Sequence, residues 1–252
     1  MNLIRCRSAV LALTLYVLAG VASAAPDYAR EKRLADEVVP SIVVGDAVTL
    51  QTGAGRRFLG LLTIPAKPRA ALILVHGMGV HPDFGLTGEL RARLADRGYT
   101  TLSIQMPVLA ADADAAGYPV LFPEAGQRIA AAIDYLRGKG ATKVAIVSHS
   151  VGARMVNEFL AHRPDAPLMA WVPLTISSGG FESLDGVHFP VFDIYAEKDT
   201  DAVLKGAPAR AKVLRRIRGS KQAMVYGTDH YFGKKEKEVA ALIDQLLTPL
   251  AK

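Results

Sequence analysis

The chain has 252 residues and half of them are hydrophobic, so it can bury the core of one sizeable domain, and disorder is excluded. The formal net charge is +6, but the basic residues are scattered or lie in small clusters, one of which alternates with acidic residues. Clusters of this kind are typical of solvated helix faces, so the sequence indicates no nucleic-acid partner.

The first residues have the layout of a secretory signal peptide, predicted over residues 1–24. Arg5 and Arg7 precede an uncharged apolar stretch over residues 9–21, and an Ala-Ser-Ala sequence then allows cleavage before Ala25. The apolar stretch is too short to span a bilayer comfortably, and an uncleaved anchor is the alternative. The mature chain is therefore predicted to be periplasmic or secreted, without a stable membrane span.

Cleavage at this position changes two properties of the chain. The net charge falls from +6 to +4, and Cys6, which is the single cysteine, is removed. A mature chain without cysteine cannot form disulfides, use a thiol nucleophile or bind a metal through sulfur.

The mature chain divides into a short N-terminal segment and one domain. Residues 25–46 are of mixed character, and their pattern leaves the structure of this segment undecided. The domain is predicted over residues 47–252. It opens with two strands, at 48–51 and 58–64, joined across a glycine-containing hairpin turn.

After this hairpin, strands and helices alternate. The continuous apolar run at 71–75 is typical of a strand buried on both faces in a parallel sheet. Further strands are predicted at 100–104, 143–147, 168–174, 190–195 and 222–226. Helices are predicted around 86–98, 129–138, 151–161, 207–217 and 239–247. The alternation indicates a three-layer α/β architecture with a mostly parallel sheet.

The most informative motif is Ser-His-Ser-Val-Gly at 148–152, between a predicted strand and a predicted helix. A serine flanked two residues away on each side by a small residue is typical of a nucleophile elbow, whose sharp turn exposes the serine hydroxyl above the sheet. Ser150 is therefore the candidate nucleophile. Ser148 stands where the stricter motif has glycine, and an ordinary helix N-cap is the alternative interpretation.

A second stretch of the sequence matches the same pattern. Residues 175–179 also read small-x-Ser-x-Gly after an apolar run. The residues that follow contain two glycines and have no helical periodicity, so the context favours Ser150 over Ser177.

His230 is the candidate base, because it comes directly after the last predicted strand and before the last helix. Open parallel sheets build their sites in loops after the carboxyl ends of strands, and an activated serine needs a base within hydrogen-bond reach. The other histidines, His76, His81, His149, His162 and His188, lie in positions that fit this role less well.

The candidate acid is Asp199, directly after the strand predicted at 190–195. A buried carboxylate there would hold the imidazole in the required tautomer. Glu197 and Asp201 lie in the same loop and remain alternatives, whereas Asp193 falls inside the strand and is interpreted as structural.

Two backbone N–H groups are candidates for an oxyanion hole. One belongs to Val151, which follows the nucleophile, and the other to Met78, in the His-Gly-Met-Gly loop at 76–79. The glycines would let this loop approach a ligand closely, although an ordinary flexible turn is the alternative.

Four motifs make the chain resemble the α/β-hydrolase superfamily over roughly residues 48–250: His-Gly-Met-Gly at 76–79, Ser-His-Ser-Val-Gly at 148–152, Ala-Glu-Lys-Asp at 196–199 and Gly-Thr-Asp-His at 227–230. More narrowly, it is similar to small secreted bacterial members that carry a His-Pro-Asp turn like the one at 81–83. The resemblance implies an eight-stranded sheet and a Ser-acid-His triad in this chain order. It implies no particular substrate.

The predicted substrate is a small or medium acyl ester. Only a short stretch separates the sixth and seventh strands, so no large cap domain is expected. Tyr118 and Phe122 in the wall at 106–123, together with Tyr231, are candidate substrate contacts, while Phe84 is favoured as a core residue. The chemistry requires no metal or other cofactor, and no ligand cluster is evident.

Two other functions stay open at this point. The chain could be a non-catalytic envelope protein that uses the same fold as a binding scaffold. It could also be an amidase or peptidase, because the same triad serves both reactions. The expected partner is a small-molecule acyl substrate, and the sequence fixes neither the physiological substrate nor the oligomeric state.

Overall fold

The computed structural model describes residues 25–252, so the predicted signal peptide lies outside the described residues and stays a prediction. The strands are β1 (Asp46–Gln51), β2 (Arg57–Thr63), β3 (Ala70–Val75), β4 (Tyr99–Ile104), β5 (Val144–His149), β6 (Ala170–Leu174), β7 (Phe192–Lys198) and β8 (Lys221–Asp229). The α-helices are α1 (Tyr28–Val38), α2 (Gly85–Ala95), α3 (Phe122–Gly138), α4 (Val151–His162), α5 (Asp201–Leu214) and α6 (Glu236–Ala251), and 3₁₀ turns cover Val39–Ser41 and Ala115–Leu121.

Within residues 25–252, eight strands form one sheet in the order β1-β2-β4-β3-β5-β6-β7-β8. β2 pairs antiparallel with both β1 and β4, and all other neighbours pair in parallel. The predicted eight-stranded, mostly parallel sheet is confirmed. Its parallel strands all end at the same edge, so the loops that follow β3, β5, β7 and β8 meet there.

Two hydrophobic clusters cover the two faces of the sheet, and β3 contributes to both. Ala71, Ile73 and Val75 point into the cluster that includes α3 and α4, whereas Leu72 and Leu74 point into the cluster that includes α2 and α6. This double burial explains why β3 is apolar at every position, since a strand covered on both faces has no solvent-facing side. The three-layer architecture is confirmed.

The helices differ from the sequence prediction in three places. The helix predicted around 129–138 begins earlier, at Phe122, with Pro123 in its first turn. The segment 25–46, whose structure the pattern left undecided, contains α1, which starts at an Asp27 N-cap that accepts a hydrogen bond from the Arg30 amide. The helix predicted around 207–217 begins earlier, at Asp201, because Gly206 and Pro208 interrupt the helical pattern of its first half in the sequence. It ends at Leu214.

The connection between β6 and β7 contains no helix or strand in the described chain, as expected for a protein without a large cap. No helix within residues 25–252 is long and apolar enough to span a bilayer.

Candidate active site

Ser150 lies at the turn between β5 and α4 with φ 57° and ψ −120°. A positive φ at a residue other than glycine costs about 1–3 kcal/mol and persists only where the surroundings enforce it. The strand and the helix hold the turn from both sides, and the Ser150 amide donates to the Leu174 carbonyl at 3.0 Å. The serine is therefore presented at the sheet edge on a rigid, strained turn, as a nucleophile elbow requires.

The two small residues that flank Ser150, Ser148 and Gly152, are accommodated for different physical reasons. A Cβ at Gly152 would collide with the carbonyl oxygens of His76 and Val75, so only glycine fits there. Ser148 has room for its side chain, and its Oγ accepts a hydrogen bond from the buried Trp171 indole at 2.8 Å. A buried indole N–H needs an acceptor. This bond accounts for the departure from the stricter glycine motif.

The hydroxyl of Ser150 is linked to His230, which follows β8 directly. His230 Nε2 lies 2.8 Å from Ser150 Oγ, and His230 Nδ1 lies 2.7 Å from Asp199 Oδ1. A carboxylate can only accept, so the Nδ1 atom carries the proton and Nε2 is left to accept from the serine hydroxyl. The three side chains form one hydrogen-bonded chain with the polarity that proton abstraction from serine needs.

The Asp199 carboxylate is fixed by backbone donors. Oδ1 accepts from the Thr200 amide at 2.8 Å and Oδ2 from the Ala196 amide at 3.3 Å, and the side chain is fully buried. The first of these bonds has the short length of a charge-assisted hydrogen bond, and together they hold the carboxylate in the orientation that faces the imidazole.

The competing carboxylates point elsewhere. Glu197 accepts from the Gly227 amide at 2.9 Å, and Asp201 pairs with Lys205 in solvent. Asp193 lies inside β7 and pairs with Arg210 at 2.8 Å, both side chains being fully buried. Asp199 is therefore the carboxylate that contacts His230.

Two more histidines, His76 and His149, lie beside the hydrogen-bonded chain of Asp199, His230 and Ser150, and both are buried. His149 Nε2–H donates to the His230 carbonyl at 2.9 Å, and the two rings are 5.2 Å apart. His76 donates from Nδ1 to the Gly77 carbonyl at 2.8 Å and accepts the Met106 amide at Nε2 at 2.9 Å. Burial lowers the pKa of His149 from 6.5 to about 4 and that of His76 to about 3. Both rings are neutral above these values.

These pKa shifts predict loss of stability in mild acid. Unfolded histidine binds a proton below pH 6.5, whereas folded His76 and His149 bind one only near their lowered pKa values, so stability falls as the pH drops from about 6.5 towards 4. At pH 5 we expect a loss of roughly 4 kcal/mol relative to pH 7.5, about half from each ring. Urea unfolding at both pH values measures it. His149→Gln should halve the difference, and equal stability of the wild type at the two pH values would contradict the assignment.

The predicted oxyanion donors lie beside the serine. A Cβ built on Gly77 would be 3.5 Å from Ser150 Cβ, which places the loop that follows β3 against the elbow. Met78 and Val151 both line the cavity that contains Ser150. Val151 is the first residue of α4, so its N–H has no carbonyl one turn earlier to bind. The oxyanion role of both residues stays a prediction.

The cavity at Ser150 has a volume of about 1150 Å³, with His230 in its wall. Its mouth is apolar, because Val43 (93% exposed), Met78, Phe84 and Tyr231 all line it and all expose large apolar surface. The interpretation of Phe84 as a core residue was therefore wrong. The role of Val43 in this lining could not be predicted, because it lies in a connecting segment without hydrophobic periodicity.

Among the described residues that line the cavity, no positively charged side chain lacks an acidic partner. Arg91 pairs with Asp83 at 2.5 Å and donates to the Val44 carbonyl at 2.6 Å. Glu89 and Glu236 are the other charged residues of the lining. An anionic ligand would therefore find no unpaired positive side chain in this wall.

The structure does not bring Tyr118 or Phe122 to this cavity, whereas Tyr231 lines it. Tyr118 is 1% exposed in the core, with its hydroxyl 3.3 Å from the position of a Cβ at Gly79. Phe122 packs partly buried against the same core, beneath the Arg154 guanidinium. The chain between β4 and α3 folds inward, so Tyr118 supports the loop that follows β3 instead of facing the cavity.

Ser177, in the second stretch that matches the elbow pattern, also lines the cavity. Thr175 has a positive φ of 48°, so a sharp turn follows β6 as well. No helix follows this turn, and the Ser177 hydroxyl has no hydrogen-bond partner among the described residues. His230 contacts Ser150 instead. Within residues 25–252, no cluster of three or more histidine, cysteine or acidic side chains is arranged to hold a metal ion.

No protein-family model matches the sequence, and a search of curated proteins gives no significant match. Solved structures do match. Est1E from Butyrivibrio proteoclasticus is 15% identical with a TM-score of 0.64, covering 81% of this chain and 98% of its own. An α/β serine hydrolase without a lid from Xanthomonas campestris is 14% identical with a TM-score of 0.64, covering 82% and 95%.

A dienelactone hydrolase from Anabaena variabilis is 19% identical with a TM-score of 0.63, and the match covers 81% of this chain and 96% of that one. At these identities the likeness is one of fold. The chain therefore has the fold of the α/β-hydrolase superfamily, as the four sequence motifs predict.

Proposed function

We propose that the protein is a serine hydrolase that cleaves carboxylic esters, with Ser150 as nucleophile, His230 as general base and Asp199 as the residue that orients the base. The observation that carries this proposal is the continuous hydrogen-bonded chain from Asp199 through His230 to Ser150, with contacts of 2.7 and 2.8 Å. An ordinary buried serine at a helix start has no need for an imidazole acceptor that is itself held by a buried carboxylate.

The reaction follows from these positions. His230 Nε2 takes the hydroxyl proton as Ser150 Oγ attacks the ester carbonyl, and the carbonyl oxygen becomes an oxyanion. The protonated imidazole then donates this proton to the leaving alcohol, which departs as the acyl-enzyme forms. Water attacks the acyl-enzyme with His230 again as base, the carboxylic acid leaves, and the proton returns to Ser150 Oγ.

The developing negative charge needs donors that are already in place. We assign this role to the backbone N–H groups of Val151 and Met78. The Val151 N–H points out of the first turn of α4, where the helix dipole also favours an anion. The Met78 N–H lies in a loop that approaches the elbow closely because Gly77 has no side chain.

The cavity favours a neutral ester with an apolar group. Its mouth is lined by exposed Val43, Met78, Phe84 and Tyr231, and burying such surface contributes about 25 cal/mol per Å² to binding. Arg91, the one cation among the described residues of its wall, is paired with Asp83, so a carboxylate-bearing substrate gains no ion pair from them. Ferulic acid, an aromatic acid, binds to Est1E, which has a similar fold. Aromatic esters are therefore included in the proposed substrate class.

The assembled triad favours an enzyme over a non-catalytic scaffold, since a binding role needs no such chain. An amidase or peptidase would use the same three residues. Amides have a poorer leaving group, so comparing a nitrophenyl ester with the matching nitroanilide separates the two activities.

The test is hydrolysis of nitrophenyl acetate, butyrate, octanoate and benzoate by the wild type and by Ser150→Ala. We expect turnover that Ser150→Ala lowers by about 10⁴-fold or more, because its side chain is the attacking group. Ser177→Ala is the matched control, since Ser177 lines the same cavity without contacting His230, and it should keep activity within a few-fold. Absence of Ser150-dependent turnover for every ester would contradict the proposal.

A further inference from the structure

The N-terminal helix α1 is locked onto the domain beside the loop that follows β3. The Glu31 carboxylate forms two hydrogen bonds of 2.9 Å with the guanidinium of Arg128, which is fully buried. The Asp27 amide also donates to the Val108 carbonyl at 2.7 Å. A buried, two-pronged ion pair fixes orientation as well as contact, so the residues of α1 near Glu31 have defined positions relative to the active site.

Arg30, the neighbour of Glu31, reaches the predicted oxyanion loop directly. Its Nη2 donates to the Gly79 carbonyl at 2.7 Å, and its Nη1 donates to the Leu109 carbonyl at 2.7 Å. Gly79 is one residue after Met78, whose N–H is the predicted oxyanion donor. One guanidinium therefore ties the loop after β3 to the loop after β4.

The space around Gly79 shows how closely the loop is held. Gly79 has a φ of 69°, and a Cβ placed there would lie 3.2 Å from Arg30 Nη2 and 3.3 Å from the Tyr118 hydroxyl. The backbone is thus enclosed between the guanidinium and the buried tyrosine. Removing the guanidinium would open one side of this enclosure and leave the Gly79 carbonyl without its charged donor.

A second route from α1 ends on the same loop. Arg128, held by Glu31, also donates to the Gln105 carbonyl at 2.9 Å. The Gln105 side-chain amide in turn donates to the Val80 carbonyl at 3.1 Å. The loop is therefore fixed at two successive carbonyls, by Arg30 at Gly79 and by Gln105 at Val80. Arg128 is held by Glu31 of α1 and also by Glu124 of its own helix.

We propose that Arg30 is a positioning residue of this active site, which holds the Met78 N–H in the place where the oxyanion develops. This inference rests on the proposed function. Arginine suits the task because its planar fork presents several donors that can engage two carbonyls at once, whereas a lysine ammonium on a flexible stem does not fix two loops in one geometry. Through Arg30, α1 then contributes to the geometry of the active site, although it precedes the domain predicted over residues 47–252.

The test compares Arg30→Met, Arg30→Lys and Lys32→Met with the wild type. Lys32 lies on the same helix, where it pairs in solvent with Asp36 and does not contact the site. A slightly misplaced oxyanion donor impairs the transition state more than ground-state binding. We therefore expect Arg30→Met to lower kcat by about 10- to 100-fold with little change in KM. Arg30→Lys should fall between it and the wild type, and Lys32→Met should match the wild type.

Two measurements separate positioning from a loss of folding. Titration with a fluorophosphonate counts the competent Ser150 sites, so kcat is expressed per active site. Backbone ¹⁵N order parameters at 77–80 report the mobility of the loop itself, and Arg30→Met should lower them while Lys32→Met does not. A kcat per site within two-fold of the wild type would overturn the inference, and so would unchanged order parameters at 77–80.

This design keeps two failures distinguishable. If the wild type shows no Ser150-dependent turnover, the proposed function fails and the catalytic part of the inference falls with it. The order parameters at 77–80 need no substrate, so they still decide whether Arg30 fixes the loop.

Discussion

Replacing His230 by alanine is expected to lower kcat for ester hydrolysis by about 10⁴- to 10⁶-fold, the range for removing one member of a triad that acts as a unit. Ser150 Oγ would lose the acceptor that lies 2.8 Å away, and the leaving alcohol would lose its proton donor. KM should change little, because the ester would still occupy the same cavity. Steady-state kinetics at neutral pH measure both constants.

The matched control for this variant is His162→Ala. His162 ends α4 with its side chain in solvent and contacts Glu158 rather than the site, so its removal should leave kcat unchanged. Thermal unfolding of both variants should stay close to that of the wild type. A His230→Ala enzyme that retains more than about a tenth of wild-type kcat would contradict the role of His230 as base.

Changing Asp199 to asparagine is expected to lower kcat by about 10⁴-fold, as the same change does in another Ser-His-Asp triad. If the asparagine turns its NH₂ group towards His230, it donates to Nδ1 and leaves the proton on Nε2, which then cannot accept from Ser150. If it turns its oxygen there instead, the NH₂ group faces the Ala196 N–H, which is also a donor. Neither orientation supplies the charge that stabilises the imidazolium.

Two neighbouring carboxylates provide controls for Asp199→Asn. Asp201→Asn removes only a solvent-exposed pair with Lys205, and Glu197→Gln alters a contact to the Gly227 amide. Both variants should keep kcat within a few-fold of the wild type, measured with the same ester. A large loss in either of them, with near-normal Asp199→Asn, would move the acid role to that residue.

The sequence was sufficient for the features that depend on local pattern. β3 and β5 are continuous apolar runs, and glycines or polar loops separate them from helices with a clear apolar repeat. This alternation of strands and helices is enough to predict a parallel sheet. His230 and Asp199 could be placed because each comes directly after a strand, and parallel strands end at one edge. From that placement we expect His230 to bond to Ser150 and Asp199 to bond to His230.

The parts that could not be predicted depend on contacts between residues distant in the chain. Arg30 acts on Gly79, and no pattern within α1 marks a side chain that donates to a carbonyl elsewhere. Tyr118 was predicted to contact the substrate because of its aromatic ring, but its side chain is buried in the core. Contacts with distant residues decide which way such a ring points. Ser148 departs from the glycine motif for a reason that requires Trp171, on the neighbouring strand.

The most direct test of the central claim, that Ser150 is an activated nucleophile, is labelling of the folded protein with a fluorophosphonate, followed by peptide mapping by mass spectrometry. Such a probe reacts with a serine whose proton is taken by a neighbouring base, and it needs no knowledge of the substrate. We predict a single adduct on Ser150 that is absent in Ser150→Ala and retained in Ser177→Ala. An unlabelled folded protein, or an adduct that persists in Ser150→Ala, would contradict the account.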